Sequence, residues 1–227
     1  MILYEENGLM TEEIKIAISL RITDTVNYDE KRDALSHDWP PFFEKLKFIP
    51  IFVPNTLAHP EKFLDSIGID GIILSGGDNI GDFPDRDRTE NILLDYGIDQ
   101  KIPIFGVCRG MQLINNYFGG KILKNDTSSH VGKIHEVDIK NPIIAKQIGT
   151  KLIKVNSFHN NIITDNDLGK GLEVFAQSVD DDTVEGFVHS HHKIIGVMWH
   201  PERDPSQNNE LILKKTFHDN DFWKSII

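Results

Sequence analysis

The sequence contains one cysteine, Cys108, and no apolar run long enough to cross a bilayer. A single cysteine excludes an intramolecular disulfide and any zinc site that needs several thiolates, and it fits a reducing compartment. A membrane span needs about 20 mostly apolar residues, and the N-terminus lacks the basic and apolar regions of a signal peptide. These absences lead us to expect a cytoplasmic protein.

Positive charge is also scarce, because 24 Lys and Arg residues face 35 Asp and Glu residues, which gives a net charge of −11. Nucleic acids and anionic lipid surfaces both require a basic footprint, so neither is an expected partner. A small phosphorylated ligand stays open, since it needs only a few local basic groups. Nothing in the sequence decides between a monomer and a homodimer.

Hydrophobic residues make up 39% of the 227 residues, which is enough for a large core. At about 100–200 residues per domain, we interpret the chain as one domain over residues 1–227, with 1–11 as a leader outside the core. Strand and helix patterns alternate in the first half, which predicts an α/β fold with a mostly parallel central sheet and flanking helices. The predicted strands are 14–20, 48–53, 70–74 and 102–107, and the predicted helices are 59–67, 86–100 and 111–118.

Other segments carry weaker patterns. Residues 29–47 are predicted to form helical turns that Pro40 and Pro41 split. Residues 121–155 are predicted to be connections between short strands. The closely spaced strands predicted at 172–178, 184–189 and 194–199 should pair antiparallel, before a final helix at about 205–217.

Cys108 lies in a G-x-C-x-G pattern at 106–110, directly after a predicted strand and before a predicted helix. Small neighbours permit a sharp turn that exposes a nucleophile at the end of the strand, which is the cysteine form of a nucleophile elbow. The helix N-terminus favours a thiolate, and the N–H of Arg109 is placed to donate to an oxyanion. The alternative is a buried, inert cysteine, the commonest fate of a free thiol.

Two further segments support a nucleophilic cysteine. His200, Pro201 and Glu202 follow the predicted strand at 194–199, so the carboxylate can orient an imidazole that acts as both base and acid. Taken alone, His200 would be a surface residue at a strand end. Residues 75–78, Ser-Gly-Gly-Asp, follow another strand and allow the backbone to approach a ligand and donate an N–H.

These patterns together resemble the class I glutamine amidotransferase-like hydrolases, in the branch of γ-glutamyl-γ-aminobutyrate hydrolase and γ-glutamyl hydrolase. The resemblance spans about residues 14–215 and is carried by segments 76–77, 106–112, 156–160 and 197–202, in the order of the family. It implies a flavodoxin-like fold and hydrolysis of a small γ-glutamyl amide through a glutamyl thioester. No cofactor is expected.

The resemblance also implies roles for individual residues. Cys108, His200 and Glu202 would form the catalytic triad, and the backbone of Gly77 and Arg109 would form the oxyanion hole. The implied substrate contacts are Gln112, Asn156, Ser157, Phe158, His159 and Arg21. Two of these residues also have a purely structural alternative: Gln112 as a polar residue on the first turn of a helix, and His159 as a solvated loop residue.

A narrower resemblance, to the γ-glutamyl-CDP-amidate hydrolases of bacterial capsule phosphoramidate synthesis, is carried by Arg21, segments 28–39 and 156–160, and Glu202-Arg203. It implies products of glutamate and cytidine diphosphoramidate. Candidate phosphate contacts are Arg21, Arg86, Arg88 and Arg203, because guanidinium groups bind phosphate in a bidentate manner. For Arg86 and Arg88 the alternative is pairing with Asp82, Asp85 and Asp87 in a solvated loop.

Three other functions are weighed against this one. A glutaminase subunit that feeds ammonia to a separate synthase would use the same triad. A non-catalytic binding protein is disfavoured, because no member of the triad is lost. His189, His191 and His192 have zinc-like spacing, but a third ligand with suitable spacing is not evident, so we expect no metal requirement.

Overall fold

The computed structural model describes residues 13–124, 131–204 and 206–227. The leader predicted at 1–11 lies outside these residues. The described strands are β1 Ile14–Ser19, β2 Arg21–Asp24, β3 Lys31–Ala34, β4 Phe48–Val53, β5 Gly71–Leu74, β6 Ile104–Val107, β7 Leu123–Lys124, β8 Val131–Ile139, β9 Leu152–Phe158, β10 Asn161–Ile162, β11 Leu172–Ser178, β12 Val184–His189 and β13 Ile194–Val197.

The described α-helices are α1 Trp39–Leu46, α2 Pro60–Ile67, α3 Pro84–Gln100, α4 Arg109–Tyr117, α5 Pro142–Ile148, α6 Gln207–His218 and α7 Asn220–Ile226. Short 3₁₀ turns cover Asp165–Asp167 and Pro201–Arg203. None of the described helices has the length and hydropathy needed to cross a membrane.

Nine of the described strands form one sheet in the order β4-β1-β5-β6-β13-β12-β11-β8-β9. The pairs from β4 through β13 are parallel, and the pairs from β13 through β9 are antiparallel. The predicted α/β class and its antiparallel C-terminal extension are therefore confirmed. β5, β6 and β13 are short apolar strands buried along their whole length, as expected for strands covered by helices on both faces.

The chain order reverses at β1, which lies between β4 and β5. In open α/β sheets, ligands bind beyond the carboxyl ends of the strands at such a switch point. β1, β5, β6 and β13 run in the same direction. The segments that follow them, which begin at residues 20, 75, 108 and 198, therefore meet at one edge of the sheet.

The prediction for residues 29–47 is wrong in part, since only Trp39–Leu46 is helical. Lys31–Ala34 forms β3, which pairs antiparallel with β2 in a separate hairpin. The adjacent prolines do not split a helix, because Pro40 and Pro41 occupy the first turn of α1. A proline is tolerated there, since the first turn has no intrahelical acceptor for its missing N–H.

The prediction for residues 121–155 is also wrong in part. The segment contains the nine-residue strand β8 and the helix α5, which Asn141 caps by accepting N–H bonds from Ile143 and Ile144. At the C-terminus, the expected single helix is two, α6 and α7, and Asp219 caps the second by accepting the N–H groups of Asp221 and Phe222.

Candidate active site

Cys108 sits between β6 and α4 with φ 50° and ψ −102°. A non-glycine residue with positive φ is strained, and such strain persists where packing enforces it. A Cβ added to Gly110 would lie 2.1 Å from the carbonyl oxygen of Leu74, and one added to Gly106 would lie 2.8 Å from the carbonyl carbon of Gly110. Both flanking glycines are therefore required by close backbone packing, as the elbow interpretation predicts.

His200 lies at the same edge of the sheet, after β13. Its Nδ1 is 2.7 Å from Oε1 of Glu202, and both side chains are buried. The 3₁₀ turn at Pro201–Arg203 brings the carboxylate back beside the imidazole. The side chain of Asn156 holds the backbone of His200 from the other side, since Nδ2 donates to the carbonyl at 2.8 Å and Oδ1 accepts the N–H at 2.9 Å.

The environment of His200 favours its charged form. Burial is the largest single influence on the pKa of His200 and opposes the charge, but the hydrogen bonds and negative charges of Cys108 and Glu202 together outweigh it and raise the pKa from 6.5 to about 9. An imidazolium beside a thiol stabilises the thiolate, which is the nucleophilic form of cysteine. The arrangement can therefore generate a nucleophile and hold a proton for a leaving group.

The loop after β5 closes the third side of the site. A Cβ added to Gly76 would lie 2.7 Å from Cε1 of His200 and 3.6 Å from Cβ of Cys108, so the loop passes directly over both side chains. Gly77 has φ +121°, a conformation that glycine adopts at little cost. Within the described residues, the N–H groups of Gly77 and Arg109 donate to no protein acceptor.

The arginines at 86 and 88 are both held by groups of the protein. Arg86 is fully buried and pairs with Glu90 at 3.0 Å and Asp78 at 3.3 Å, so its prediction as a phosphate contact is wrong. Arg88 donates to the carbonyls of Leu57 and Ala58 at 3.1 and 2.9 Å. Among the described residues, neither arginine forms the predicted pairs with Asp82, Asp85 or Asp87.

Five of the predicted substrate contacts lie on or near β9 and α4. Asn156 is engaged with the backbone of His200, and the other four differ in what they touch. Gln112 is buried one turn after Cys108, where its Oε1 accepts from Nδ2 of Asn161 at 3.1 Å. Ser157 is fully buried, whereas the ring of Phe158 is 46% exposed and stands edge-on to His200. His159 is buried, and its Nδ1 lies 2.8 Å from the carbonyl of Asn161. Substrate contact by these residues stays a prediction.

Arg21 lies on the outer rim of the cleft, where its Nη2 pairs with Asp78 at 3.0 Å and its side chain remains 43% exposed. Across the cleft, the guanidinium of Arg203 stands 4.6 Å from the centre of the Phe158 ring. The cleft between them is also lined by Ser36, Trp39 and Gly77, and it reaches His200. Two cationic side chains thus line a cleft that reaches His200 and Glu202.

Comparison with known proteins identifies the family. Residues 42–220 match the model of the family described as glutamine amidotransferase class-I. The chain belongs to the class I glutamine amidotransferase family. It is 35% identical over 209 residues to the gamma-glutamyl-CDP-amidate hydrolase of Campylobacter jejuni, an alignment that covers 89% of this chain and 96% of that protein. It is also 35% identical over 172 residues to a glutamine-hydrolysing GMP synthase subunit of Methanococcus vannielii, covering 74% of this chain and 84% of the other.

Solved structures show the same fold at lower identity. A protein from Thermoplasma acidophilum superposes with a TM-score of 0.70 and 24% identity, covering 95% of this chain and 98% of its own. A glutamine amidotransferase from Thermotoga maritima gives a TM-score of 0.63 with 14% identity, covering 96% of this chain and 87% of its own. At these identities the likeness concerns the fold alone.

Sequence reasoning missed two residues of this amidotransferase site. Asn161 holds Gln112, and it directly follows the segment at 156–160 that carries the resemblance. Glu185 is fully buried between two histidines, 3.6 Å from His135 and 3.5 Å from His159. Burial alone would raise the pKa of Glu185, but the hydrogen bonds of His135 and His159 outweigh it and keep that pKa below its usual range. An isolated Glu in an apolar strand is the one signal that could have found it, because a buried carboxylate requires partners.

No metal centre is evident within the described ranges, where no group of three or more His, Cys, Asp or Glu side chains is arranged to hold an ion.

Proposed function

We propose that this amidotransferase-family chain is a cysteine-dependent hydrolase of γ-glutamyl amides that works through Cys108, His200 and Glu202. The observation that carries the proposal is the strained elbow at Cys108, set at a helix N-terminus beside a buried, carboxylate-bound imidazole. A structural cysteine would need neither the positive φ nor the imidazole, whereas an activated nucleophile needs a partner that takes and returns a proton.

In the first step, the Cys108 thiolate attacks the δ-carbonyl carbon of the γ-glutamyl group. The backbone N–H groups of Gly77 and Arg109 stabilise the resulting oxyanion. The C–N bond then breaks while His200 donates its proton to the departing nitrogen, which leaves a glutamyl thioester on Cys108. The raised pKa of His200 keeps that proton available at neutral pH.

In the second step, His200 takes a proton from water, which attacks the thioester carbonyl. Collapse of the second oxyanion releases glutamate and restores the thiolate–imidazolium pair. Glu202 holds the imidazole through its Nδ1 in both steps, so Nε2 is the nitrogen that exchanges the proton. Gln112, kept in place by Asn161, would hold the glutamyl group.

The outer end of the cleft supports an anionic leaving group. Arg21 and Arg203 line it, and two guanidinium groups suit a nucleotide phosphate. The half-exposed ring of Phe158 packs beside Arg203 and offers a stacking surface next to the cleft. The candidate substrate is therefore γ-glutamyl-CDP-amidate, the compound for which the Campylobacter jejuni relative is named. The products would be glutamate and cytidine diphosphoramidate, used to modify a capsule or surface polysaccharide.

The proposed function is tested with a panel of γ-glutamyl amides carrying γ-aminobutyrate, polyamine, poly-glutamate and phosphoramidate leaving groups, with kcat/KM measured for each. Cys108→Ala should lose about 10⁴-fold or more, the scale seen when a nucleophile is removed from a triad, and should keep the wild-type circular dichroism. Mass spectrometry of a quenched reaction should find a glutamyl adduct on Cys108. Robust turnover by folded Cys108→Ala would refute the proposal.

The leaving-group assignment has its own test. Arg21→Leu and Arg203→Leu should lower kcat/KM for the phosphoramidate substrate by about 10–100-fold, because a hydrogen bond to a charged group contributes about 1.5–3 kcal/mol. Both variants should hydrolyse γ-glutamyl p-nitroanilide, whose leaving group is uncharged, like wild type. Arg32→Leu is the matched control and should leave both activities unchanged. Arg32 is an exposed arginine on the same β2–β3 hairpin as Arg21, and it pairs with Glu30. Equal losses on both substrates would argue against phosphate recognition.

A glutaminase that delivers ammonia to a separate synthase is the second candidate, favoured by the 35% identity to the GMP synthase subunit of Methanococcus vannielii. Such a glutaminase binds free glutamine, whereas a dedicated γ-glutamyl hydrolase prefers its own leaving group. The kcat/KM for glutamine relative to the best amide of the panel decides between them. γ-Glutamyl-γ-aminobutyrate, as in polyamine catabolism, is a third substrate that the same panel covers.

A further inference from the structure

Two buried arginines stand behind the site and share one glutamate. Arg86 on α3 and Arg109 on α4 are almost wholly excluded from solvent, as is Glu90. Oε1 of Glu90 accepts from Nε of Arg86 at 3.0 Å, and Oε2 accepts from Nη1 of Arg109. Asp87 also accepts from Arg109. Burying charges is expensive unless each is paired, so this network needs a reason beyond stability.

The second end of Arg86 holds the glycine loop. Its Nη2 donates to the carbonyl oxygens of Ser75 and Gly76, both at 2.9 Å. The carbonyl and the N–H of a trans peptide point in opposite directions. Fixing the Gly76 carbonyl on Arg86 therefore directs the Gly77 N–H to the other side of the loop, away from Arg86.

The reaction centre lies against Gly76, because a Cβ added there would be 2.7 Å from Cε1 of His200 and 3.6 Å from Cβ of Cys108. A peptide between two glycines rotates easily, because neither residue restricts φ to negative values. Rotated by half a turn, this peptide would present a carbonyl instead of an N–H to a developing oxyanion.

We propose that Arg86, anchored through Glu90 to Arg109, is a positioning residue that locks the Gly76–Gly77 peptide with its N–H directed at the carbonyl oxygen under attack. Glu90 thereby couples the two donors of the oxyanion hole, one on the glycine loop and one at the elbow. The inference rests on the proposed function, since it requires acyl chemistry at Cys108.

Only an arginine can make this set of contacts. Its fork presents five N–H donors in a plane, and here Nε, Nη1 and Nη2 meet Glu90, Asp78 and the loop carbonyls at the same time. A lysine has one nitrogen and would keep the charge but not all the contacts. Arg86→Lys is therefore the informative substitution.

Arg88 supplies a matched control on the same helix. It also donates to two consecutive loop carbonyls, those of Leu57 and Ala58, but in a loop that does not line the cleft. Arg88→Lys makes the same chemical change without touching the glycine loop.

The experiment compares two reactions of the same sulfur. Acetylation of Cys108 by p-nitrophenyl acetate passes through a tetrahedral oxyanion and releases p-nitrophenolate, whereas alkylation by iodoacetamide displaces iodide at carbon and forms no oxyanion. Arg86→Lys should slow acetylation by about 10²-fold, the effect of losing one oxyanion donor, and leave alkylation near the wild-type rate. Arg88→Lys should leave both rates unchanged. For γ-glutamyl amides, the loss should fall on kcat rather than KM.

Several outcomes would overturn the inference: unchanged acetylation in folded Arg86→Lys, an equal fall in both rates, or a wild-type ratio of acetylation to alkylation no higher than that of free cysteine. If circular dichroism shows that Arg86→Lys does not fold, Glu90→Gln is tested in its place. Slower acetylation with unchanged alkylation in that variant would support the inference, and any other result would refute it. A wild type that hydrolyses no γ-glutamyl amide but shows the selective effect would refute the proposed function and keep the inference.

Discussion

Two buried histidines lie at the ends of neighbouring strands of the sheet, and their surroundings shift their pKa values in opposite directions. His189 ends β12 and His200 follows β13, and because these strands are antiparallel the two rings lie at opposite edges. At His200, the thiol and carboxylate partners outweigh burial and raise the pKa to about 9. At His189, burial acts together with the nearby charges of His192 and His191 and lowers the pKa to about 4.

The surroundings of His189 are those of a turn. Its Nδ1 lies 3.0 and 3.3 Å from the backbone N–H groups of His191 and His192, which it accepts as a neutral ring. The ring of Phe118 packs on it at 4.5 Å between centroids. Burial of a histidine therefore does not by itself define a catalytic site. The partners decide whether the ring holds a proton for chemistry or loses it to serve as an acceptor.

The largest expected effect separates the two residues by activity. His200→Asn should lower kcat/KM for the best γ-glutamyl amide by about 10⁴-fold or more, the scale for losing the base of a triad. His189→Asn should stay close to wild type, because the amide oxygen of Asn can still accept the turn N–H groups. A large loss of activity in folded His189→Asn, or recovery of that activity on adding Zn²⁺, would instead give the cluster of His189, His191 and His192 a functional role.

The next largest effect concerns Glu202. Glu202→Gln keeps the shape of the side chain but removes its charge, so kcat/KM should fall by about 10³-fold or more, as when a triad carboxylate is replaced by an amide. Removing one of the groups that raise the pKa of His200 should also move the alkaline limb of the pH–rate profile from about 9 to lower pH. An unshifted limb would mean that Glu202 does not set the proton affinity of His200.

The elbow and the His-Pro-Glu turn could be predicted because their information is local. Gly106, Cys108 and Gly110 fall within one turn of chain, and His200 and Glu202 are two positions apart, so strand patterns and glycine chemistry were sufficient. The parallel half of the sheet was predictable for the same reason, since its short apolar strands are separated by clear helical patterns.

The missed features depend on distant partners. Asn161 acts on Gln112 across 49 positions, and Arg86 and Arg109 resemble solvated surface charges until Glu90 brings them together. The hairpin of β2 and β3 could not be predicted from hydrophobic periodicity, because its residues are mostly polar. It is defined only by the pairing of the two strands with each other. Periodicity cannot register such contacts, because it measures burial along one element at a time.

A smaller effect appears in stability at alkaline pH. The folded pKa of His200 lies above its usual value, so the folded state binds that proton more tightly than the unfolded chain does. This contribution to stability is fully present below 6.5 and is lost as the pH rises through about 9. Urea unfolding of wild type and His200→Asn at pH 6, 8 and 9.5 should show a steeper decline for wild type. Parallel declines would contradict the raised pKa.

The smallest effect has the opposite sign and lies on the acid side. The folded pKa of His189 is lowered, so between pH 6.5 and about 4 the unfolded chain takes up a proton that the folded state does not bind. The stability that the neutral ring contributes is therefore present above 6.5 and is lost as the pH falls through this window. Because His191 is exposed, water screens much of its repulsion, and the effect should be modest. His189→Asn should lose less stability than wild type between pH 7 and 4.5 in urea unfolding, whereas an identical loss would show that His189 gains its proton in the folded state.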